Sequence, residues 1–132
     1  MRVIRTRPES LPGPAERFTG SAWLDPIAVA DSPSNVRAVS VRFAPGARTA
    51  WHHHPRGQIL YILEGSGLVQ QRGGPIEAVR AGDVVITLPG EQHWHGADPH
   101  SSLTHLAIHE VDEDGIDAYW SRHVTDDEYH GT

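Results

Sequence analysis

Short segments in which apolar residues recur at every second position run through most of the chain. VRAVSVRF at 36–43 places Val39, Val41 and Phe43 on one face, and LTHLAIHE at 103–110 alternates in the same way. Turns rich in Gly and Pro separate these segments, and the 132 residues include 13 Gly and 10 Pro. A period of two is typical of strands that bury one face. The sequence therefore predicts an all-β fold, with about eight or more short strands closing into a barrel or sandwich.

The chain is long enough for one domain. Residues 1–17 contain three prolines without periodicity and are predicted to be an N-terminal arm, and residues 18–132 a single domain. The prolyl break at 25–26 is expected to interrupt an early strand, and Gly65 and Gly67 to end the strand that begins at Gln58. Thr125, followed by Glu128 three residues later, predicts a short C-terminal helix.

Composition excludes several classes of function. The formal net charge is -6 and the 11 Lys and Arg residues are scattered, so no nucleic-acid partner is predicted. The absence of cysteine excludes disulfides, thiolate metal sites and a cysteine nucleophile. No apolar run approaches the roughly 20 residues of a membrane span, and the first residues do not resemble a signal peptide. We therefore expect a cytoplasmic protein without a membrane partner.

Seven of the 10 histidines lie in three clusters, at 52–54, 93–95 and 105–109. His52 and His54 are two residues apart, so on an extended backbone both point to one face. Gln58 follows after a turn, and antiparallel pairing would bring His93 opposite the first two histidines. Three imidazoles and an amide oxygen are ligands that a divalent transition metal accepts. His53 and His95 are expected to point away from the metal.

The spacing of these residues resembles the cupin superfamily. The first cupin motif matches at Gly46, His52, His54, Gln58 and Gly65, with Gln58 where most metal-binding cupins have Glu. The second matches at Gly82, Gly90 and His93, whereas Leu88 and Ala97 depart from its Pro and Asn. The resemblance implies a double-stranded β-helix, or jelly-roll barrel, and assembly as a homodimer or homotetramer. Glu64 falls at the wrong spacing to replace the missing carboxylate.

The resemblance extends from Phe18 to Tyr129, because FAPGARTAWHHHPRGQ, PGEQHWHGA and THLAIHE are similar to the small bacterial cupins that include the manganese-dependent (R)-selective hydroxynitrile lyases. It implies one divalent metal ion, manganese first and then iron, nickel or zinc. It also implies a catalytic role for His105. His109 stands where those lyases have Gln, and it is a second catalytic candidate. A packed or solvent-facing histidine is the alternative for each.

Val39 and Val41, with Trp51 or Trp94 nearby, are predicted to line an apolar pocket for a small substrate. Because Gln58 carries no charge, the ligand set leaves the charge of a divalent ion uncompensated, which favours Lewis-acid chemistry. The hypothesis is lyase-type cleavage or formation of a C–C bond in a small cyanohydrin. His105 removes the hydroxyl proton as general base, and His109 or water assists the leaving cyanide. An iron-dependent dioxygenase and a non-catalytic ligand-binding protein are the alternatives.

Overall fold

The computed structural model of the protein describes residues 1–132, and every paired strand in it is antiparallel. The predicted all-β class is confirmed, since the structure contains twelve strands and a single short helix. The elements are β1 (Leu11–Pro12), β2 (Phe18–Thr19), β3 (Ala22–Val29), β4 (Val36–Phe43), β5 (Arg48–Thr49), β6 (His52–His53), β7 (Gln58–Gln71), β8 (Ile76–Arg80), β9 (Val84–Thr87), β10 (His93–Ala97), β11 (Leu103–Glu110), β12 (Tyr119–Trp120) and α1 (Asp126–His130).

The long strand β7 belongs to both halves of a curled sheet. Its first half pairs with β11 on one side and β9 on the other, and its second half pairs with β10 and β8. The first half-sheet therefore has the order β1-β3-β4-β11-β7-β9, and the second contains β8, β7, β10, β5 and β2. Strand β6 continues along β10 beyond β5, and β12 pairs with β6. The two half-sheets face each other across the interior.

Gly65 is where β7 passes from one half-sheet to the other. Its φ of +79° lies in the left-handed region, and a Cβ added there would collide with the carbonyl group of Ser102. The prediction that Gly65 and Gly67 end the strand is therefore wrong. The glycine permits a bend in a strand that continues to Gln71, because the backbone pairing resumes with β8 and β10.

The prediction that Pro26 interrupts an early strand is also wrong, because β3 continues through Pro26 to Val29. The pairing with β4 shifts register between Pro26 and Ala28, and this irregularity accommodates the proline. The predicted N-terminal arm contributes a strand of its own, because Leu11 pairs with Leu24 and Pro12 with Trp23. Residues near its end thus extend the first half-sheet at its edge.

Two hydrophobic clusters stabilise the fold. The larger lies between the half-sheets and contains Phe43, Ile62 and Leu103, each about 1% exposed. The smaller lies outside the second half-sheet, where Trp51, Trp94, Val124 and Tyr129 pack together beneath α1. Burial of such large apolar side chains contributes about 1.5–3 kcal/mol each.

The C-terminal helix α1 is attached by its cap and by one buried arginine. The Thr125 side chain accepts from the Glu128 backbone N–H and the Glu128 carboxylate accepts from the Thr125 backbone N–H, so the predicted capping box is confirmed. Arg48, which is 5% exposed, donates to the Val124 carbonyl oxygen at 2.9 Å and to Asp126 at 2.7 Å. These contacts hold the helix against the second half-sheet.

The outer face of the first half-sheet carries several exposed apolar side chains. Ile59 lies opposite Ile86 on β9, and Tyr61 lies opposite Val84, with all four between 44% and 68% exposed. The expected homodimer or homotetramer stays a prediction. The single helix, α1, has five residues and could not span a membrane.

Candidate metal centre

Three histidine rings meet between the half-sheets. His52 on β6 lies directly opposite His93 on β10, and their ring centroids are 4.3 Å apart. His54 follows two residues after His52, with ring centroids 5.0 Å from His52 and 5.3 Å from His93. The two-residue spacing read from the sequence therefore does place His52 and His54 beside each other. All three side chains are at least 95% buried.

Each of these rings is held by a backbone carbonyl oxygen at its Nδ1 atom. The Nδ1 of His52 is 2.9 Å from the Ala50 oxygen, and that of His93 is 3.0 Å from the Glu91 oxygen. His54 makes the same contact with the Asp117 oxygen at 2.7 Å. A carbonyl oxygen can only accept, so Nδ1 carries the proton and the neutral ring keeps its lone pair on Nε2. This is the tautomer and the orientation that histidine ligands of metals adopt.

Several buried polar atoms in this region have no hydrogen-bond partner. Among them are Nε2 of His54, Nε2 of His93 and Oε1 of Gln58. Gln58 begins β7, where it lies opposite His109 on β11 and Thr87 on β9. Buried atoms without partners are costly, and a cation bound among them would satisfy their lone pairs. The donor set therefore fits a divalent metal ion.

His95 points into the site, together with His52 and His93. A ring nitrogen of His95 lies within 4.8 Å of those of His52 and His93, and these three histidines form a group that could hold a metal ion. The prediction that His95 points away is wrong, because His93 and His95 are two residues apart and share a strand face. The residue between them, Trp94, is the one that faces the outer cluster. His53 does point away, since its ring stacks on Tyr119 and its Nδ1 contacts Gln92.

His95 also connects this group to His105. Nε2 of His105 and Nδ1 of His95 are 3.0 Å apart, in a hydrogen bond that is fully buried. His105 lies on β11 opposite Val41 and Ile62, and Phe43 packs against its ring with centroids 5.4 Å apart. The remaining ring nitrogens, Nε2 of His95 and Nδ1 of His105, have no partner.

Burial keeps these histidines neutral. It lowers the pKa of His93 and that of His105 to about 4, from an ordinary value of 6.5. Burial also lowers the pKa of His54, and it lowers the pKa values of His52 and His95 well below the ordinary value. At neutral pH each of the five rings therefore keeps one unprotonated nitrogen, and in the His95–His105 pair one of these two nitrogens accepts the hydrogen bond between the rings.

A cavity of about 290 Å³ opens beside the histidines. Val39 and Val41 line it, as do His105, Ala107 and His109 on β11. Trp51 and Trp94 do not line it, in contrast to the prediction. Alternation along β10 turns Trp94 outward, and Trp51, which lies between β5 and β6, joins it in the outer cluster. Mostly apolar walls with a few polar groups are typical of sites for small molecules.

His109 occupies the cavity wall beside His54. The two rings stack with centroids 5.6 Å apart, and Nε2 of His109 is 3.0 Å from a carboxylate oxygen of Asp117. The hydrogen bond from His109 is the main reason that the pKa of Asp117 is lowered. Asp117 was not predicted from the sequence, and no local pattern marks it, because the contact depends on how residues 111–118 fold back. Glu64 is exposed and takes no part in the site.

Comparison with known proteins identifies the family. Residues 39–109 match the family model described as Cupin domain. The chain is a cupin. Its relatives include an (R)-mandelonitrile lyase from Granulicella tundricola, 51% identical over 118 residues, which cover 89% of this cupin and 88% of the relative.

Solved structures agree with this fold. A cupin-like protein from Thermotoga maritima is 39% identical with a TM-score of 0.84, over 98% of this cupin and 96% of that chain. The polyketide cyclase RemF from Streptomyces resistomycificus has a TM-score of 0.67 at 22% identity, covering 98% of this cupin and 90% of that chain, and so supports the fold alone. The double-stranded β-helix implied by the sequence resemblance is confirmed.

Proposed function

We propose that this cupin is a metal-dependent lyase that cleaves and forms the C–C bond of small cyanohydrins. The observation that carries the proposal is the arrangement of His52, His54 and His93, whose Nδ1 atoms are all held by carbonyl oxygens. The cavity beside them has the size and the apolar walls for an aromatic or aliphatic aldehyde. The identity of 51% to an (R)-mandelonitrile lyase supports the same substrate class.

We propose His52, His54, Gln58 and His93 as the metal ligands. The ring of His95 lies slightly farther from this group than that of His54, with centroids 5.2 Å from His52 and 5.6 Å from His93, although its ring nitrogen is within 4.8 Å of theirs. The Nδ1 atom of His95, however, contacts the ring of His105 rather than a backbone carbonyl oxygen. No backbone group therefore fixes which of the two ring nitrogens of His95 carries the proton. A divalent ion, with manganese first and then iron, nickel or zinc, would act as a Lewis acid that lowers the pKa of a substrate hydroxyl group.

The proton of that hydroxyl group has a path along His95 to His105. His95 accepts it at Nε2, which has no other partner, and His95 passes the proton on its Nδ1 to Nε2 of His105. In the cleavage direction His105 thus acts as the base through His95, and its position against Phe43 fixes its ring. Loss of the proton lets the C–C bond break, so that an aldehyde and cyanide form.

The test is an assay of mandelonitrile cleavage with manganese-loaded protein, following benzaldehyde by its absorbance. The wild type should be active, and His105→Ala should lose about a hundredfold or more in kcat while retaining its metal. His100→Ala removes an exposed histidine outside the barrel and should behave as the wild type. Oxygen consumption by the iron(II) form without cyanohydrin cleavage would contradict the proposal in favour of a dioxygenase. Tight ligand binding without turnover would contradict it in favour of a binding protein.

A further inference from the structure

Asp117 contacts two histidines through two different groups. Its backbone oxygen is 2.7 Å from Nδ1 of His54, and its carboxylate oxygen Oδ2 is 3.0 Å from Nε2 of His109. The rings of His54 and His109 stack at an interplanar angle of 22°. One residue therefore fixes both a proposed metal ligand and a histidine of the cavity wall.

The segment that carries Asp117 is itself ordered by hydrogen bonds. Asp112 accepts at Oδ1 from the backbone N–H groups of Asp114 and Ile116, and at Oδ2 from the Tyr119 hydroxyl group. Arg37 lies 3.5 Å from the same carboxylate oxygen of Asp117 that contacts His109. These contacts hold Asp117 in place from both sides.

The chemistry of the contact determines where the lone pair of His109 lies. A carboxylate only accepts hydrogen bonds, so Nε2 of His109 must carry a proton. In the neutral ring, Nδ1 is then an acceptor, and this buried atom has no partner. His109 lines the cavity, so a small molecule bound there lies against the ring that carries this unpaired acceptor.

His105 and His109 line the same cavity from different positions along β11. They lie four residues apart on one face of β11, which is about 13 Å along the strand. The proposed function assigns the substrate hydroxyl group to the His95–His105 end. The His109 end then faces the second reactant of cyanohydrin formation, which is hydrogen cyanide. The only hydrogen-bond donor of hydrogen cyanide is its polarised C–H group.

We propose that Asp117 is a positioning residue that orients His109, so that Nδ1 of His109 accepts a hydrogen bond from hydrogen cyanide during cyanohydrin formation. The inference rests on the proposed function for the identity of the reactants. Asp117 itself does not touch the substrate. Its carboxylate acts through His109, while its backbone oxygen serves the metal ligand His54.

The experiment is two-substrate kinetics of mandelonitrile formation by the manganese-loaded protein. Asp117→Ala removes the carboxylate but keeps the backbone oxygen, so the metal content should stay at the wild-type level. The KM for hydrogen cyanide should rise about tenfold, and the KM for benzaldehyde should stay within about twofold. Asp114→Ala, an exposed change in the same segment, is the control and should alter neither.

His109→Phe removes the acceptor with a ring of similar size and tests the same point if Asp117→Ala does not fold. It should raise the KM for hydrogen cyanide as Asp117→Ala does, and the double variant should show no further rise. Equal changes in both KM values, or an unchanged KM for hydrogen cyanide, would overturn the inference while leaving the lyase proposal intact. A wild type without cyanohydrin turnover would instead refute the proposed function, and with it the assignment of hydrogen cyanide to His109.

Discussion

Mild acid should destabilise the metal-free protein through His105. Burial lowers the pKa of this ring from 6.5 to about 4 in the folded chain, whereas the unfolded chain regains the ordinary value. Between these values the unfolded state binds more protons than the folded state, so stability is fully present above about pH 6.5 and falls as the pH falls towards 4. Each unit of pKa difference corresponds to about 1.4 kcal/mol. From about pH 7 to about pH 5, His105 alone should therefore cost about 2 kcal/mol of unfolding free energy.

The assay is urea unfolding of chelator-treated protein at both pH values, monitored by tryptophan fluorescence. His105→Gln removes the titrating ring and keeps a polar side chain of similar length. The variant will start from a different stability, so the comparison is the change between the two pH values within each protein. That change should be about 2 kcal/mol smaller in His105→Gln than in the wild type. Equal changes in the two proteins would refute the argument that burial keeps His105 neutral.

Three further substitutions test the fold. Phe43→Ala should lower the unfolding free energy by about 3–5 kcal/mol in urea unfolding, because Phe43 is 1% exposed in the main cluster. Gly65→Ala should prevent soluble expression or lower the melting temperature sharply, because its φ is positive and the new Cβ meets the Ser102 carbonyl group; an unchanged melting temperature would contradict the bend at Gly65. Tyr129→Phe should cost about 1 kcal/mol, since it leaves the carbonyl oxygen of Ala97 without its donor; a neutral result would mean that water replaces the hydroxyl group.

Much of the fold is local in origin and could be predicted. Strands β4 and β11 have the bounds that their alternation predicts, and the capping box marks the start of α1. The errors concern Pro26 and Gly65, which usually end strands. Here a register shift accommodates the proline and a left-handed backbone bends the strand, and both depend on what the neighbouring strands supply.

The candidate site also combines features that the local sequence predicts with features that depend on distant parts of the chain. The two-residue spacing of His52 and His54 predicts that their side chains point to the same face. The same alternation predicts that His95 points to the same face as His93. The same alternation turns Trp94 outward, so the prediction that Trp94 lines the pocket disagreed with the local strand pattern. Asp117 could not be predicted, because its contacts to His54 and His109 join residues 63 and 8 positions away. Such contacts form only when the segment before β12 folds over the open end of the site.

The central claim is a metal-dependent centre made by His52, His54, Gln58 and His93, and a metal titration tests it most directly. Metal-free protein without an affinity tag is titrated with manganese while mandelonitrile cleavage and bound metal are both measured. We expect activity to rise in proportion to bound metal and to saturate at about one ion per chain, and His93→Ala to bind little metal and remain inactive. Full activity in the metal-free protein, or full metal binding and activity in His93→Ala, would contradict the account.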